Sequence, residues 1–199
     1  MRNIYGMTLD ELEEYFLSIG EKKFKAIQIF EWLYQKKINN FDEITNIKKS
    51  VIDRLKIDFS LERLKTLKVE RDVEVNKYLF ELPDSERVES VLMRHDYGIS
   101  LCISSQVGCN MGCAFCESGR LKKVRNLDAS EMVLQILQVE EDINERISHV
   151  VIMGIGEPFD NYDNFVKFIK IVNNPKGISL GSRHITVSTC GIIPKIKEF

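Results

Sequence analysis

The sequence predicts an α/β protein. A small helical domain (1–60) and a short antiparallel strand region (61–97) precede the first half of a partial parallel (βα) barrel (98–199). Three observations predict this arrangement. Apolar residues recur at helical spacing through the first sixty residues, and their period then changes to that of strands. From Ile99 onwards strand-like and helix-like segments alternate, and a β-α-β-α-β order predicts parallel strands joined by helical crossovers.

The helical domain opens with a helix-start signal. Thr8 and Glu11 have the spacing of a capping box, in which a hydroxyl and a carboxylate accept hydrogen bonds from the free amides of a first helical turn. Apolar residues then follow at helical intervals until Gly20, which predicts the end of this helix. Two further helices are predicted over 24–36 and near 47–57, so the first sixty residues form a small helical domain.

The elements beyond the helical domain are predicted from hydrophobic period and turn residues. A short antiparallel meander is predicted from strand-like segments over 64–69, 77–82 and 88–93, with a turn signal at 83–85. The parallel region is predicted to contain strands over 99–104, 148–153 and 184–188, and helices over 128–145 and 161–173. The first of these two helices begins with a second capping box, formed by Asp128 and Glu131.

The charge balance argues against a protein that is basic all over. The chain has 199 residues, with 28 Lys and Arg against 30 Asp and Glu, and its net charge is −2. Basic residues are nevertheless concentrated in the first fifty residues and after the cysteine cluster, at Lys122, Lys123 and Arg125. Such local patches can bind phosphate, and a solvated lysine face is the alternative that charge alone favours.

The sequence also predicts where the protein resides. It has no run of about 20 apolar residues, and its N-terminus lacks the apolar stretch of a signal peptide. We therefore predict a cytoplasmic protein with no membrane partner. Its five cysteines are then expected to be reduced, and metal-binding or catalytic roles outrank disulfides.

Three of these cysteines form a compact motif. Cys109, Cys113 and Cys116 have the spacing C-x3-C-x2-C, so three thiolates can wrap one small inorganic core. An ordinary [4Fe–4S] cluster takes four cysteines, one for each iron, and three ligands therefore leave one iron open for a substrate or cofactor. A zinc site is the alternative. It would need a fourth ligand, and the histidines of this chain have no ligand spacing.

Two more motifs follow predicted parallel strands. Residues 154–158 place Gly156 and Glu157 directly after a strand, and Ser188 ends the next strand. Glycine lets the chain approach a ligand, and a carboxylate accepts hydrogen bonds from an ammonium group. A dinucleotide-binding loop is the rival interpretation, but the G-x-G-x-x-G pattern is absent. Because parallel barrels carry their active sites at the C-terminal ends of the strands, the three motifs are predicted to converge on one face.

The cysteine spacing resembles that of the radical S-adenosylmethionine (SAM) superfamily, and the whole pattern resembles the RlmN-type adenine methyltransferases and their Cfr relatives. The match is carried by residues 101–109, Cys113, Cys116, 125–127, 153–158 and 188–194. The resemblance implies a [4Fe–4S] cluster whose open iron binds SAM, and a 5′-deoxyadenosyl radical. It also implies methylation of carbon 2 of an adenine in 23S rRNA and in tRNA through a methylated cysteine. Pro158 favours this reaction over the carbon 8 methylation of Cfr.

The resemblance also implies roles for single residues. Cys109, Cys113 and Cys116 would hold the cluster, Phe115 would abut the adenine of SAM, and Gly156, Glu157 and Ser188 would contact SAM. Glu89 matches a proton acceptor, and its alternative is an ordinary strand carboxylate. Cys102 matches a cysteine that helps resolve the protein–RNA adduct, and its alternative is a small buried hydrophobe. The helical domain would help to grip RNA, and a flavodoxin-like protein would be the reductant.

The chain departs from the family in one respect. The methyl-carrying cysteine of relatives lies far downstream of Ser188, whereas this chain stops at Phe199. Radical SAM cores usually have six strands, and about three βα units fit after Ile99. We therefore expect a fragment, truncated after about three strands, that does not turn over by itself. Another radical SAM activity and a non-enzymatic iron–sulfur or zinc module are the remaining alternatives.

Overall fold

The computed structural model describes residues 1–199 and contains the three predicted N-terminal helices. They are α1 (Leu9–Ser18), α2 (Phe24–Tyr34) and α3 (Lys49–Asp58). The predicted capping box opens α1, because the Thr8 hydroxyl accepts a hydrogen bond from the Glu11 amide at 3.2 Å and the Glu11 carboxylate accepts one from the Thr8 amide at 2.9 Å. A short parallel pair joins the two ends of this region, formed by β1 (Arg2–Asn3) and β2 (Phe59–Ser60).

A six-stranded mixed sheet forms the centre of the molecule. Its strands lie in the order β10-β9-β6-β5-β4-β3. The bounds are β3 (Lys65–Arg71), β4 (Val75–Glu81), β5 (Arg87–His95), β6 (Gly98–Cys102), β9 (His149–Ile152) and β10 (Ile185–Val187). Strands β3 to β6 pair antiparallel, whereas β6, β9 and β10 pair parallel, as the alternating sequence pattern predicts. A separate two-stranded ribbon, β7 (Gln106–Val107) with β8 (Arg125–Asn126), closes the base of the cysteine loop.

The predicted antiparallel strands belong to the same sheet as the parallel ones. Five residues of β5 pair with β6, from Val91 opposite Cys102 to His95 opposite Gly98. Residues 61–97 are predicted from sequence as a separate strand region, because hydrophobic period identifies a strand without identifying its partner. The observed sheet is open and forms no closed barrel. The open sheet does not by itself identify a partial barrel, so a barrel truncated after three parallel strands stays a prediction.

Helices cover one face of the sheet. They are α4 (Ala129–Ile143) and α5 (Tyr162–Asn173), and α4 begins at the predicted Asp128 capping box. A third, short helix, α6 (Ile193–Glu198), follows β10. A single hydrophobic core runs from the helical region through α4 and α5 to the sheet. Two buried hydrogen bonds stabilise the helical part of this core. The Tyr34 hydroxyl donates to the Tyr5 carbonyl at 2.8 Å, and the Tyr5 hydroxyl donates to the Ile38 carbonyl at 2.7 Å. No helix of the chain is both long enough and apolar enough to span a bilayer.

The two faces of the sheet differ in burial, and β5 shows the alternation. Val88, Ser90 and Leu92 are at most 1% exposed and lie on the helix side, which we call the covered face. Glu89 and Val91 are half-exposed and lie on the other side, which we call the open face. Cys102 shares the open face because it lies directly opposite Val91.

Candidate functional site

A cavity of about 200 Å³ lies beyond the C-terminal ends of β6, β9 and β10. It is lined by the cysteine loop, by the segment after β9 and by the segment after β10. The sequence-predicted residues that line it are Cys109, Cys113, Phe115, Cys116, Gly156, Glu157 and Ser188. The structure thus confirms that the three sequence motifs converge at one end of the parallel strands. Larger clefts, of about 670, 700, 390 and 410 Å³, are lined by no cysteine, and polar and charged residues dominate the lining of the first two.

The cysteine loop is a stiffened hairpin between β7 and β8. The Cys109 amide donates to the Leu121 carbonyl at 2.9 Å across the hairpin, and the Cys116 amide donates to the Cys113 carbonyl at 3.0 Å. All three thiols are free and half-exposed, whereas the Phe115 side chain between them is 94% exposed. Backbone hydrogen bonds therefore set the position of the loop, and its reactive side chains stay accessible.

The chemistry of the donor set fits an iron–sulfur cluster. Cys109, Cys113 and Cys116 bring three thiol side chains to one cavity, and thiolates are the ligands that hold such clusters. In a [4Fe–4S] cluster each thiolate binds a different iron, so the ligands surround the cluster and do not meet at a point. The residues present therefore fit a three-thiolate cluster.

Glu157 is buried at the wall of the cavity, with 3% of its surface exposed. Its carboxylate accepts hydrogen bonds from the Phe159 amide at 3.0 Å, the Thr189 hydroxyl at 2.7 Å and the Cys190 amide at 2.7 Å. These contacts join the segment after β9 to the segment after β10. The Cys190 thiol also contacts this carboxylate, so the protein itself occupies its acceptor sites in this structure.

Gln106 is a site residue that the sequence analysis missed. It is fully buried, and its side-chain oxygen accepts a hydrogen bond from the Glu157 amide at 2.9 Å. Its side-chain nitrogen donates to Asn126 at 2.8 Å and to Asp160 at 2.9 Å. Hydrogen bonds from Lys123 and from Gln106 hold the pKa of Asp160 below its usual value. The only sequence signal was the place of Gln106 in the segment that carries the family resemblance.

Thr189 and Cys190 also line the cavity without having been predicted as site residues. Burial and a hydrogen bond with Glu157 raise the pKa of the Cys190 thiol to about 11. The thiol therefore stays protonated at neutral pH. Its position near the predicted cluster cysteines could not be read from the spacing of the motif.

Glu89 and Cys102 lie on the open face and outside the cavity. Glu89 forms an ion pair of 2.8 Å with Lys77, and both side chains are half-exposed. Cys102 is half-buried on β6, the strand next to that of Glu89, and burial raises the pKa of its thiol. The structure therefore places these two side chains on neighbouring strands and outside the lining of the cavity that contains the three cysteines.

Comparisons with known proteins agree with this site. Residues 2–61 match the family described as ribosomal RNA large subunit methyltransferase N-terminal domain, and residues 103–199 match the radical SAM superfamily. A probable dual-specificity RNA methyltransferase RlmN from Enterococcus faecalis is 53% identical over 99% of this chain and 57% of its own length. The RlmN of the same description from Acholeplasma laidlawii is 53% identical over 98% of this chain and 58% of its own length.

A solved structure shares the fold. The crystal structure of a radical SAM methyltransferase from Sphaerobacter thermophilus superposes with a TM-score of 0.89 at 34% identity, covering 100% of this chain and 60% of that one. The chain therefore spans little more than half the length of the relatives it matches. The two matched families, the relatives and the cavity with its three cysteines agree, and this chain is similar over nearly its whole length to the RlmN proteins of the radical SAM superfamily.

Proposed function

We propose that the chain forms the cluster- and SAM-binding part of an RNA methyltransferase that acts on adenine. The observation that carries the proposal is the convergence of Cys109, Cys113 and Cys116 with Gly156, Glu157 and Ser188 around one cavity. The relatives are named dual-specificity RNA methyltransferases, which supports an RNA substrate. Carbon 2 of an adenine in 23S rRNA and tRNA is the site of methylation that the resemblance favours.

The residues of the cavity have separate tasks. Cys109, Cys113 and Cys116 would hold a [4Fe–4S] cluster by three irons. When bound, the cluster and SAM supply one-electron chemistry that can activate an unreactive carbon. Glu157 would accept a hydrogen bond from the SAM ammonium group in exchange for its contact with the Cys190 thiol, and the exposed Phe115 ring can cover the adenine of SAM.

Glu89 and Cys102 would act on the RNA adenine. Glu89 carries a carboxylate on the open face, where it can accept a proton from the substrate. Cys102 is on the neighbouring strand and faces the same side, but burial raises the pKa of its thiol. The thiol would therefore need to transfer its proton to a base before its sulfur could attack an adduct.

The remaining parts of the proposal concern partners and location. The helical region matches a methyltransferase N-terminal domain, and its many lysines supply positive charge for a phosphate backbone. We assign contact with 23S rRNA and tRNA to this helical region. A flavodoxin-like donor would reduce the cluster, and the protein would work in the cytoplasm, where free cysteines persist.

Anaerobic reconstitution with iron and sulfide tests the central claim. The 199-residue chain should bind about four irons, and its reduced cluster should change its electron paramagnetic resonance (EPR) spectrum when SAM is added. The matched variants are C113S, which should lose the cluster, and C190S, which should keep it. A colourless zinc protein, or a cluster whose EPR spectrum does not change when SAM is added, would contradict the proposal.

A further inference from the structure

We propose that Gln106 is a positioning residue that fixes the Glu157 segment relative to the cysteine loop, so that SAM binding depends on it. The inference rests on the proposed function, because it concerns the same site. Gln106 does not line the cavity, and it would act through Glu157. Three independent contacts carry the argument.

The first contact fixes the segment that carries Glu157. The Glu157 amide donates to the Gln106 side-chain oxygen at 2.9 Å in a fully buried position. A buried amide without this acceptor would be left unsatisfied, so the hydrogen bond constrains where the Glu157 backbone can lie. The partners are 51 residues apart in sequence, which means that the bond joins two loops and does not stabilise either loop internally.

The second contact is a close approach at Gly156. Its φ is +109°, and a Cβ placed there would lie 2.6 Å from the Cβ of Gln106. The backbone of Gly156 therefore rests directly on the aliphatic part of the Gln106 side chain. A side chain at position 156 would push this segment away from Gln106, so glycine is required both for its conformation and for the contact.

The third contact reaches the cysteine loop. The Gln106 side-chain nitrogen donates to Asp160 at 2.9 Å, and the same carboxylate oxygen binds the Lys123 ammonium at 2.6 Å. The Lys123 amide in turn donates to the Asn110 side chain at 3.1 Å, next to Cys109. A continuous chain of polar contacts thus runs from the SAM-contacting segment to the cluster-binding loop through Gln106.

A simple structural role is the alternative, since any buried glutamine contributes to stability. Gln138 offers the matched control. It is half-buried, makes two hydrogen bonds of 2.8 Å to the backbone of Leu64 and does not line the cavity. The two residues differ in what they hold together, so the same substitution at both separates positioning from stability.

The experiment compares Q106M and Q138M after anaerobic reconstitution. We expect both variants to retain iron, because all three thiols remain. Q106M should bind SAM about tenfold more weakly, the effect of one misplaced polar contact, so that about tenfold more SAM is needed to produce the change in the EPR spectrum. Q138M should bind SAM like the unsubstituted chain. Equal SAM affinity in Q106M and in the unsubstituted chain would overturn the proposal, as would an equal loss in both variants.

A reciprocal pair of variants tests the contact with Asp160. Q106E sets a carboxylate against the Asp160 carboxylate and should weaken SAM binding, whereas adding D160N supplies a donor and should restore it. Failure of D160N to rescue Q106E would overturn the assigned network. If the unsubstituted chain itself forms no SAM-responsive cluster, the proposed function fails, and this outcome differs from a failure of Gln106 alone.

Discussion

The two faces of the six-stranded sheet have different surroundings, although each strand contributes to both. The covered face carries Val88 and Leu92, which are fully buried under the helices. The open face carries Glu89 and Cys102, which are half-exposed and have no helix above them. Because successive side chains of a strand point to opposite sides, β5 and β6 each contribute side chains to a packed core on one side and a candidate catalytic group on the other.

This difference shows how the molecule separates stability from chemistry. Residues on the covered face are held by packing, where a lost methylene leaves a cavity. Residues on the open face can be replaced at small cost to folding, which leaves them available for ion pairs and reactive thiols. The loops that carry the cysteines and Glu157 extend from the ends of the same strands, so the packed face indirectly fixes the position of the site.

The largest expected effect is the difference between two leucines. Leu92→Ala on the covered face should lower the free energy of unfolding by about 2–5 kcal/mol, because its side chain is fully buried. Leu79→Ala on the open face should lower it by about 1 kcal/mol, since this side chain is only half-buried. Urea unfolding of both variants measures the two values. Equal losses would break the comparison of the faces.

A somewhat smaller effect on the free energy of unfolding is expected at Arg125, which joins β8, at the base of the cysteine loop, to α4. Its guanidinium makes two bonds of 2.8 Å to the buried Glu131 carboxylate and one of 2.6 Å to Asp84. Arg125→Met should cost about 2–3 kcal/mol, because Glu131 is left without its partner. Urea unfolding measures the cost. As a control, Arg120→Met removes only an exposed pair with Glu117 and should be neutral.

A pH-dependent effect is expected at Glu11, which joins α1 to α5. Burial alone would raise the pKa of Glu11, but hydrogen bonds from Lys167, Thr8 and Arg2 outweigh it and lower the pKa to about 2. The folded state therefore favours the carboxylate, and this contribution is present above about pH 4.5 and is lost as the pH falls towards 2. The stability advantage of the unsubstituted chain over Glu11→Gln should shrink across this window in urea unfolding. A constant advantage would contradict the assignment.

The smallest expected effect on stability is at Glu89. Its pair with Lys77 is half-exposed, so Glu89→Gln should change the free energy of unfolding by less than about 0.5 kcal/mol. If Glu89 is the proton acceptor, the same substitution at the matching position of a full-length RlmN relative should abolish RNA methylation. A fall in stability of more than about 1 kcal/mol would mean that the open face is structural at this position.

Local signals explain which parts were predicted from the sequence. The capping boxes at Thr8 and Asp128 were predictable because their partners lie three residues away, and the cysteine motif was predictable from its spacing. Partners far apart in sequence leave no such signal. The contact of Glu157 with Gln106 joins residues 51 apart, and the contact with Cys190 joins residues 33 apart. The pairing of β5 with β6 was missed for a different reason: the two strands are consecutive, but hydrophobic alternation does not specify which neighbour a strand pairs with.

One close contact sets the spacing of two segments at the site. A Cβ on Gly154 would lie 2.6 Å from the Ile103 carbonyl oxygen, so the segments after β9 and β6 touch through their backbones. Any residue larger than glycine at position 154 would force the two backbones apart. The distance between these segments is therefore set by the bare peptide chain, with no side chain acting as a spacer between them.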